Sequence, residues 1–200
     1  MEKIRRVACG GHWVVDRVRV IDRYPRENGI CRILKEDRGS GGCAFNTILD
    51  LATLDSTLPL VAVGLIGADP EGDFVMERCR RHPNIDLALL KRMSEERTGY
   101  TDAYISEESG ERTFFSFEGA NRRFSSKTID LDSLEVDIFH FGYLTLLSEL
   151  DREDPEFGRA GARFLARLKE GGMMTSMDLV SSQSPEFASI VLPTLPYVDL

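Results

Sequence analysis

No stretch of this sequence approaches the length of a membrane-spanning helix, and Met1-Glu2-Lys3-Ile4-Arg5-Arg6 passes straight into a strand-like run without an apolar signal segment. Histidine is scarce: His12, His82 and His140 are too scattered to suggest a zinc site. Cys9, Cys31, Cys43 and Cys79 contain no C-x-x-C pair. A reduced, cytoplasmic chain with no protein-held metal fits these absences. There is no low-complexity linker and no internal repeat. Positive charge is in the minority, with 25 Lys and Arg against 33 Asp and Glu, a net charge of -8 and a pI near 5.0. That balance leaves no basic footprint for nucleic acid or an anionic membrane. A small molecule is the expected partner.

What is present is enough to build a core. A chain of 200 residues with 42% hydrophobic content buries substantial apolar surface, and one domain is the default expectation. The most informative run is Gly41-Gly42-Cys43-Ala44-Phe45-Asn46, which leads into Ile48, Leu49, Leu51, Ala52 and Leu54 at helical spacing. Two glycines strip a turn of side chains, the following helix points its free N–H groups back at that turn, and Asn46 adds an amide that both donates and accepts. This suits a small polyhydroxylated ligand. It is also compatible with a plain loop before a helix in which Asn46 is only a local cap.

Strands and helices alternate along the chain. Val7 to Val15 predicts a first strand, the helix after Gly42 runs to about Leu54, and Leu60 to Ile66 predicts a short apolar strand. Gly72 to Arg81 predicts a helix, preceded by the turn Asp69-Pro70-Glu71-Gly72, whose Asp69 carboxylate can cap it. Ile138 to Phe141 and Met173 to Met177 predict buried strands. Asp154 to Glu170 predicts the clearest helix, with Asp154 as cap, Pro155 in the first turn and Gly171 as stop. Arg159, Arg163 and Arg167 share one face of it, more in keeping with a solvated surface than a phosphate clamp. The alternation implies a mainly parallel sheet covered by helices on both sides.

Two segments break that pattern. Arg17 to Arg38 and Thr98 to Phe117 carry two-residue alternation with no following helix, with Glu107-Glu108-Ser109-Gly110 a turn between two strands. Asp16 precedes the first of them, at the end of the first expected strand, where open parallel sheets bind ligands and where a carboxylate accepts from two vicinal hydroxyls. A solvated strand-end charge is the alternative for Asp16. Gly10-Gly11 does not form Gly-x-Gly-x-x-Gly and no helix follows, which argues against a dinucleotide site.

The ordered set of Gly41-Gly42 with Asn46, Gly67 to Gly72, Thr98-Gly99, Gly110-Glu111-Arg112-Thr113 and Gly119-Ala120-Asn121 resembles the ribokinase-like, or PfkB, family of carbohydrate kinases across nearly the whole chain. The resemblance implies an α/β fold whose parallel sheet carries a small β-sheet lid formed by residues 17–38 and 98–117, which in many members also pairs a second subunit. It implies ATP and Mg²⁺ as cofactors and transfer of the γ-phosphate to a hydroxyl of a sugar or nucleoside. A non-catalytic sugar- or nucleoside-binding protein is the rival expectation.

By the same resemblance Asp16, Gly41, Gly42 and Asn46 bind substrate, together with Thr101 and Ala103 from the lid and Tyr143. Asp178 falls in the phosphate and metal region, although its usual polar companions are replaced by Leu179-Val180-Ser181-Ser182. Cys43 stands where ribokinase proper tends to carry Lys, and Gly142-Tyr143 near where it carries Glu, so ribose itself is not implied. Cys43 fits a small helix residue better than a nucleophile, because phosphoryl transfer to a sugar needs no covalent cysteine step. The Gly-rich helix start that carries the catalytic base has no counterpart before Leu200. Catalysis is therefore expected from residues beyond it, and the domain is expected to be incomplete at its C-terminus.

Overall fold

Apolar residues along the central strands alternate between two buried faces, which requires cover on both. The computed structural model describes residues 6–131, 133–181 and 184–200. In chain order the elements begin with β1 (Val7–Gly11), β2 (Val14–Ile21), β3 (Ile33–Gly41), α1 (Cys43–Leu54), β4 (Leu60–Gly67), α2 (Pro70–Arg80) and β5 (Ile85–Met93). Then come β6 (Gly99–Ser106), β7 (Arg112–Phe117), β8 (Ile138–Leu144), α3 (Ser148–Asp151), β9 (Glu153–Asp154), β10 (Gly158–Arg159), α4 (Ala160–Glu170), β11 (Met174–Leu179) and α5 (Phe187–Val191).

The core sheet has the order β11-β8-β1-β4-β5, and every neighbouring pair is parallel. β4 turns Leu60, Ala62 and Ile66 to one face, where α1 and α2 pack with Phe45, Ile48, Val75 and Cys79. Its Val61, Val63 and Leu65 face the other side, where α4 contributes Phe164, Leu165 and Leu168. Phe164 touches Phe124, Phe139 and Phe141 at ring distances of 5.5 to 5.8 Å. Truncating it to Ala would cost about 3–5 kcal/mol. Asp69 caps α2 as expected, accepting from the Gly72 N–H at 2.9 Å, and its other oxygen takes the Thr98 N–H at 2.8 Å.

The two interrupting segments meet in one four-stranded sheet, β3-β2-β6-β7, in which β2 runs antiparallel to β3 and parallel to β6. This is the expected lid. Arg17 ties it to α2 by an ion pair with Glu71 and lies 3.9 Å from the centre of the Tyr100 ring.

Four expectations differ from the structure. Val7 to Val15 is not one strand: the chain leaves the core sheet after Gly11 and enters the lid at Val14. Gly11 has φ +114°, and a Cβ on it would stand 1.9 Å from the Gly142 carbonyl oxygen, so the break admits only glycine. Asp16 accordingly belongs to the lid strand rather than to the core strand. The helix expected from Asp154 starts only at Ala160, because Asp154 folds its carboxylate onto the N–H groups of Glu156 and Phe157 in a tight turn and is held there by Arg163. Arg159 donates to the carbonyls of Asp151 and Ser189, so the arginine face is tied into the structure rather than merely solvated. β5 lacked a clean alternation and was not expected. At the far edge Asp199 and Leu200 run beside β11, with Met177 N–H donating to Leu200 O at 3.1 Å.

Candidate functional site

A cavity of about 350 Å³ opens between the C-terminal ends of the core strands and the inner face of the lid. Its floor is His12, Gly42 and Asn46, its side Tyr143, Leu146 and Val180, and its roof Val14, Asp16, Thr101, Phe114 and Ser116. Strand register explains the roof. Asp16 lies opposite Thr101, and Thr101 opposite Ser116, so three polar side chains form one row across β2, β6 and β7. The next row is Val18, Ala103 and Phe114, and from it only Phe114 reaches over the opening.

The floor depends on close backbone approach. Gly42 is the N-cap of α1 with φ +78°, and no side chain caps the helix. A Cβ there would lie 2.4 Å from the His12 carbonyl oxygen. Gly41 does not line the cavity; it supports the carboxylate of Asp16, which fills the space a Cβ would take.

The lid strand β2 is anchored at its root by Trp13, which is fully buried. Trp13 N–H donates to Asn121 Oδ1 at 2.9 Å, Asn121 Nδ2 donates back to Trp13 O at 2.8 Å, and the indole N–H donates to Val63 O at 2.9 Å. A Cβ on Gly64 would meet that indole at 2.2 Å. Asn121, the last residue of the Gly119-Ala120-Asn121 run, thus holds the point where the chain passes from core to lid.

Electrostatically the cavity is mildly anionic. Asp16 is the one carboxylate among its described lining residues, and burial pushes its carboxyl up to about 6. The Tyr143 phenol is held above its usual range by burial first, then by the negative charge of Asp178. His12 is lowered to about 4 by burial, so its ring is neutral at pH 7. Beside the cavity, Cys43 Sγ lies 2.9 Å from His140 Nε2, and His140 Nδ1 lies 2.9 Å from Ser176 Oγ. Burial pushes the Cys43 thiol up to about 12 and lowers His140, so the proton stays on sulfur. That is a neutral hydrogen-bonded pair with no thiolate to attack a substrate.

Of the residues expected to bind substrate, Asp16, Gly42, Asn46, Thr101 and Tyr143 come together on the cavity. Gly41 stands behind Asp16, and Ala103 sits one row farther out, buried within the lid. Asp178 is exposed, close to Cys43 and Tyr143, and does not line the cavity. Among the described residues no group of three His, Cys, Asp or Glu side chains could hold a metal. No described helix is long and apolar enough to cross a membrane. His12, Phe114 and Ser116 were not expected. His12 falls in the break between β1 and β2, where strand alternation does not set the direction of a side chain.

Comparison with known proteins agrees with this architecture. A family model described as pfkB family carbohydrate kinase matches residues 5–200. No curated protein sequence matches the chain significantly. Among solved structures, ribokinase from Thermotoga maritima superposes with a TM-score of 0.77 at 18% identity, covering 98% of this chain and 58% of that one. Fructokinase from Xylella fastidiosa with bound ATP gives 0.69 at 19%, covering 98% and 60%. Nucleoside kinase from Methanocaldococcus jannaschii gives 0.66 at 20%, covering 100% and 60%. The chain therefore spans about three fifths of the length of these structures.

Proposed function

Because this chain belongs to the pfkB family of carbohydrate kinases, we propose that its cavity captures a sugar or nucleoside for phosphorylation of a hydroxyl by ATP. The observation that carries the proposal is the polar row Asp16, Thr101 and Ser116 facing the uncapped N-terminus of α1 across one cavity. Ionised Asp16 accepts hydrogen bonds from two hydroxyls, Asn46 and Thr101 donate and accept, and glycine at position 42 lets a ring lie against backbone. Phe114 and Leu146 supply apolar cover that shields the bound ring from water. Asp16 is assigned to binding rather than to proton removal.

Mg·ATP would supply the phosphoryl group and neutralise its charge. The described residues offer no three-ligand metal cluster. Asp178, exposed beside Tyr143, is assigned to the phosphate end. We place a homodimer contact on the lid, where Ile33, Leu34, Phe115 and Phe117 are exposed, and a cytoplasmic setting in keeping with four free cysteines.

The test is a panel of D-ribose, D-fructose and adenosine given to the full-length protein with Mg·ATP, scored by ADP release and by calorimetric binding. Sugar-dependent ADP release that Asp16→Ala removes is the expected result. Binding without ADP release would favour a non-catalytic binding protein, and the absence of both would overturn the site.

A further inference from the structure

His12 is 2% exposed and lines the cavity, yet neither ring nitrogen has a hydrogen-bond partner among the described residues. Its backbone is fixed, with the N–H donating to Gly142 O at 2.6 Å. The ring is held between the start of α1, where its Nδ1 would stand 3.0 Å from a Cβ on Gly42, and Tyr143, whose ring centre is 5.9 Å away. Burying two polar atoms without partners is costly, and a protein ordinarily removes that cost by pairing them or by placing an apolar residue there. Asp16 lines the same cavity.

We propose that His12 is a substrate-binding residue whose unpaired imidazole takes a hydroxyl of a polyhydroxylated ligand at this end of the site. The inference rests on the sugar or nucleoside assignment made above. A neutral imidazole has one N–H donor and one bare acceptor, and a hydroxyl can satisfy either. A carboxylate or phosphate dianion can accept from the ring N–H but carries no proton for the bare ring nitrogen. The neighbouring Asp16 carboxylate repels anions as well. Binding of the ligand would return the hydrogen bond that folding forgoes.

The test compares wild type with His12→Phe, which keeps a ring without nitrogen, and His12→Asn, which keeps a donor and an acceptor. Calorimetric affinity is measured for D-ribose, D-fructose and adenosine, and the melting temperature is measured without ligand. For the ligand that binds wild type best, His12→Phe should lose about tenfold in affinity, with His12→Asn in between. Unliganded His12→Phe should melt about 2–4 °C higher, since it buries no unpaired nitrogen. In ¹⁵N-histidine-labelled wild type, which depends on no variant folding, the His12 ring signals should shift on ligand addition while those of His82 stay put. Undiminished affinity in folded His12→Phe, a lower melting temperature, or an unmoved His12 signal at saturating ligand would each overturn the role of His12 alone. Failure of wild type to bind any of the three would remove the sugar-site assignment and this inference with it.

Discussion

The Asp16 carboxylate occupies the space above Gly41: a Cβ on Gly41 would lie 2.0 Å from Asp16 Oδ1 and 2.4 Å from its Cγ. Glycine at 41 therefore sets the side-chain position of the residue proposed to hold the substrate, although it does not line the cavity itself. Gly41→Ala should push the carboxylate aside and weaken sugar binding about tenfold or more, while the fold survives because the displaced group is the end of a side chain. Calorimetry alongside circular dichroism checks this. Unchanged affinity in the alanine variant would show that Asp16 does not hold the ligand.

The pH dependence comes from the same carboxyl. Its folded-state value of about 6 lies above the ordinary 3.8, so between these limits the folded chain binds more protons than the unfolded one. Stability of the free protein therefore falls as pH rises through that window, and Asp16→Asn should flatten that part of the profile. At pH 7 the variant should gain about 1 kcal/mol and no more, because Asp16 is only half-buried and solvent screens its charge. Ligand affinity should move the opposite way, weakening as pH drops below about 6 and the carboxylate is neutralised. Denaturant titrations of both proteins, run about 1.5 pH units below and about 1 above the Asp16 midpoint, measure the difference.

Asn121 makes a two-way clamp on the main chain of Trp13. Asn121→Ala should cost about 2–4 kcal/mol, because it strands the buried N–H and C=O of Trp13 as well as removing two hydrogen bonds. Thermal melting measures the loss, and amide exchange should rise first in β2, which Trp13 roots. A loss below about 0.5 kcal/mol would show that these groups find other partners.

Thiol chemistry discriminates among the four cysteines. Cys9, Cys43 and Cys79 are buried, and burial pushes Cys43 and Cys79 up to about 12 and Cys9 well above the usual thiol range. Cys31 is partly exposed. Iodoacetamide on the native protein at neutral pH should alkylate Cys31 and spare the rest. Rapid modification of Cys43 would show that its contact with His140 yields a thiolate after all.

The core and the lid were legible in the sequence because both write their periods plainly. Leu60 to Ile66 is a continuous apolar run bounded by turns, and Thr101, Ala103 and Ile105 alternate cleanly against Tyr100, Asp102 and Tyr104. What stayed hidden depended on contacts between distant residues. At the break, Gly11 lies against the carbonyl of Gly142, which is far away in sequence and leaves room only for glycine. Likewise, the late start of α4 comes from Asp154 turning onto its own backbone, a choice that an Asp-Pro helix signature does not reveal. In the site, Asp16, Gly42 and Asn46 were readable as polar or permissive positions in suggestive places. His12 was not, because a lone histidine acquires meaning only when its surroundings fail to pair it.

Because β2 and β6 run parallel, Val14 comes to lie opposite Gly99 only after β3, α1, β4, α2 and β5 have been threaded between them. Closing so long a loop costs entropy that local contacts cannot return, so this pairing comes late, once β1 and β4 have fixed both ends. Until β6 arrives, β2 and β3 are an isolated hairpin, marginal in water. A ribosome-bound chain would thus gain the roof of its ligand site late, and β2 would spend part of synthesis with an unprotected strand edge.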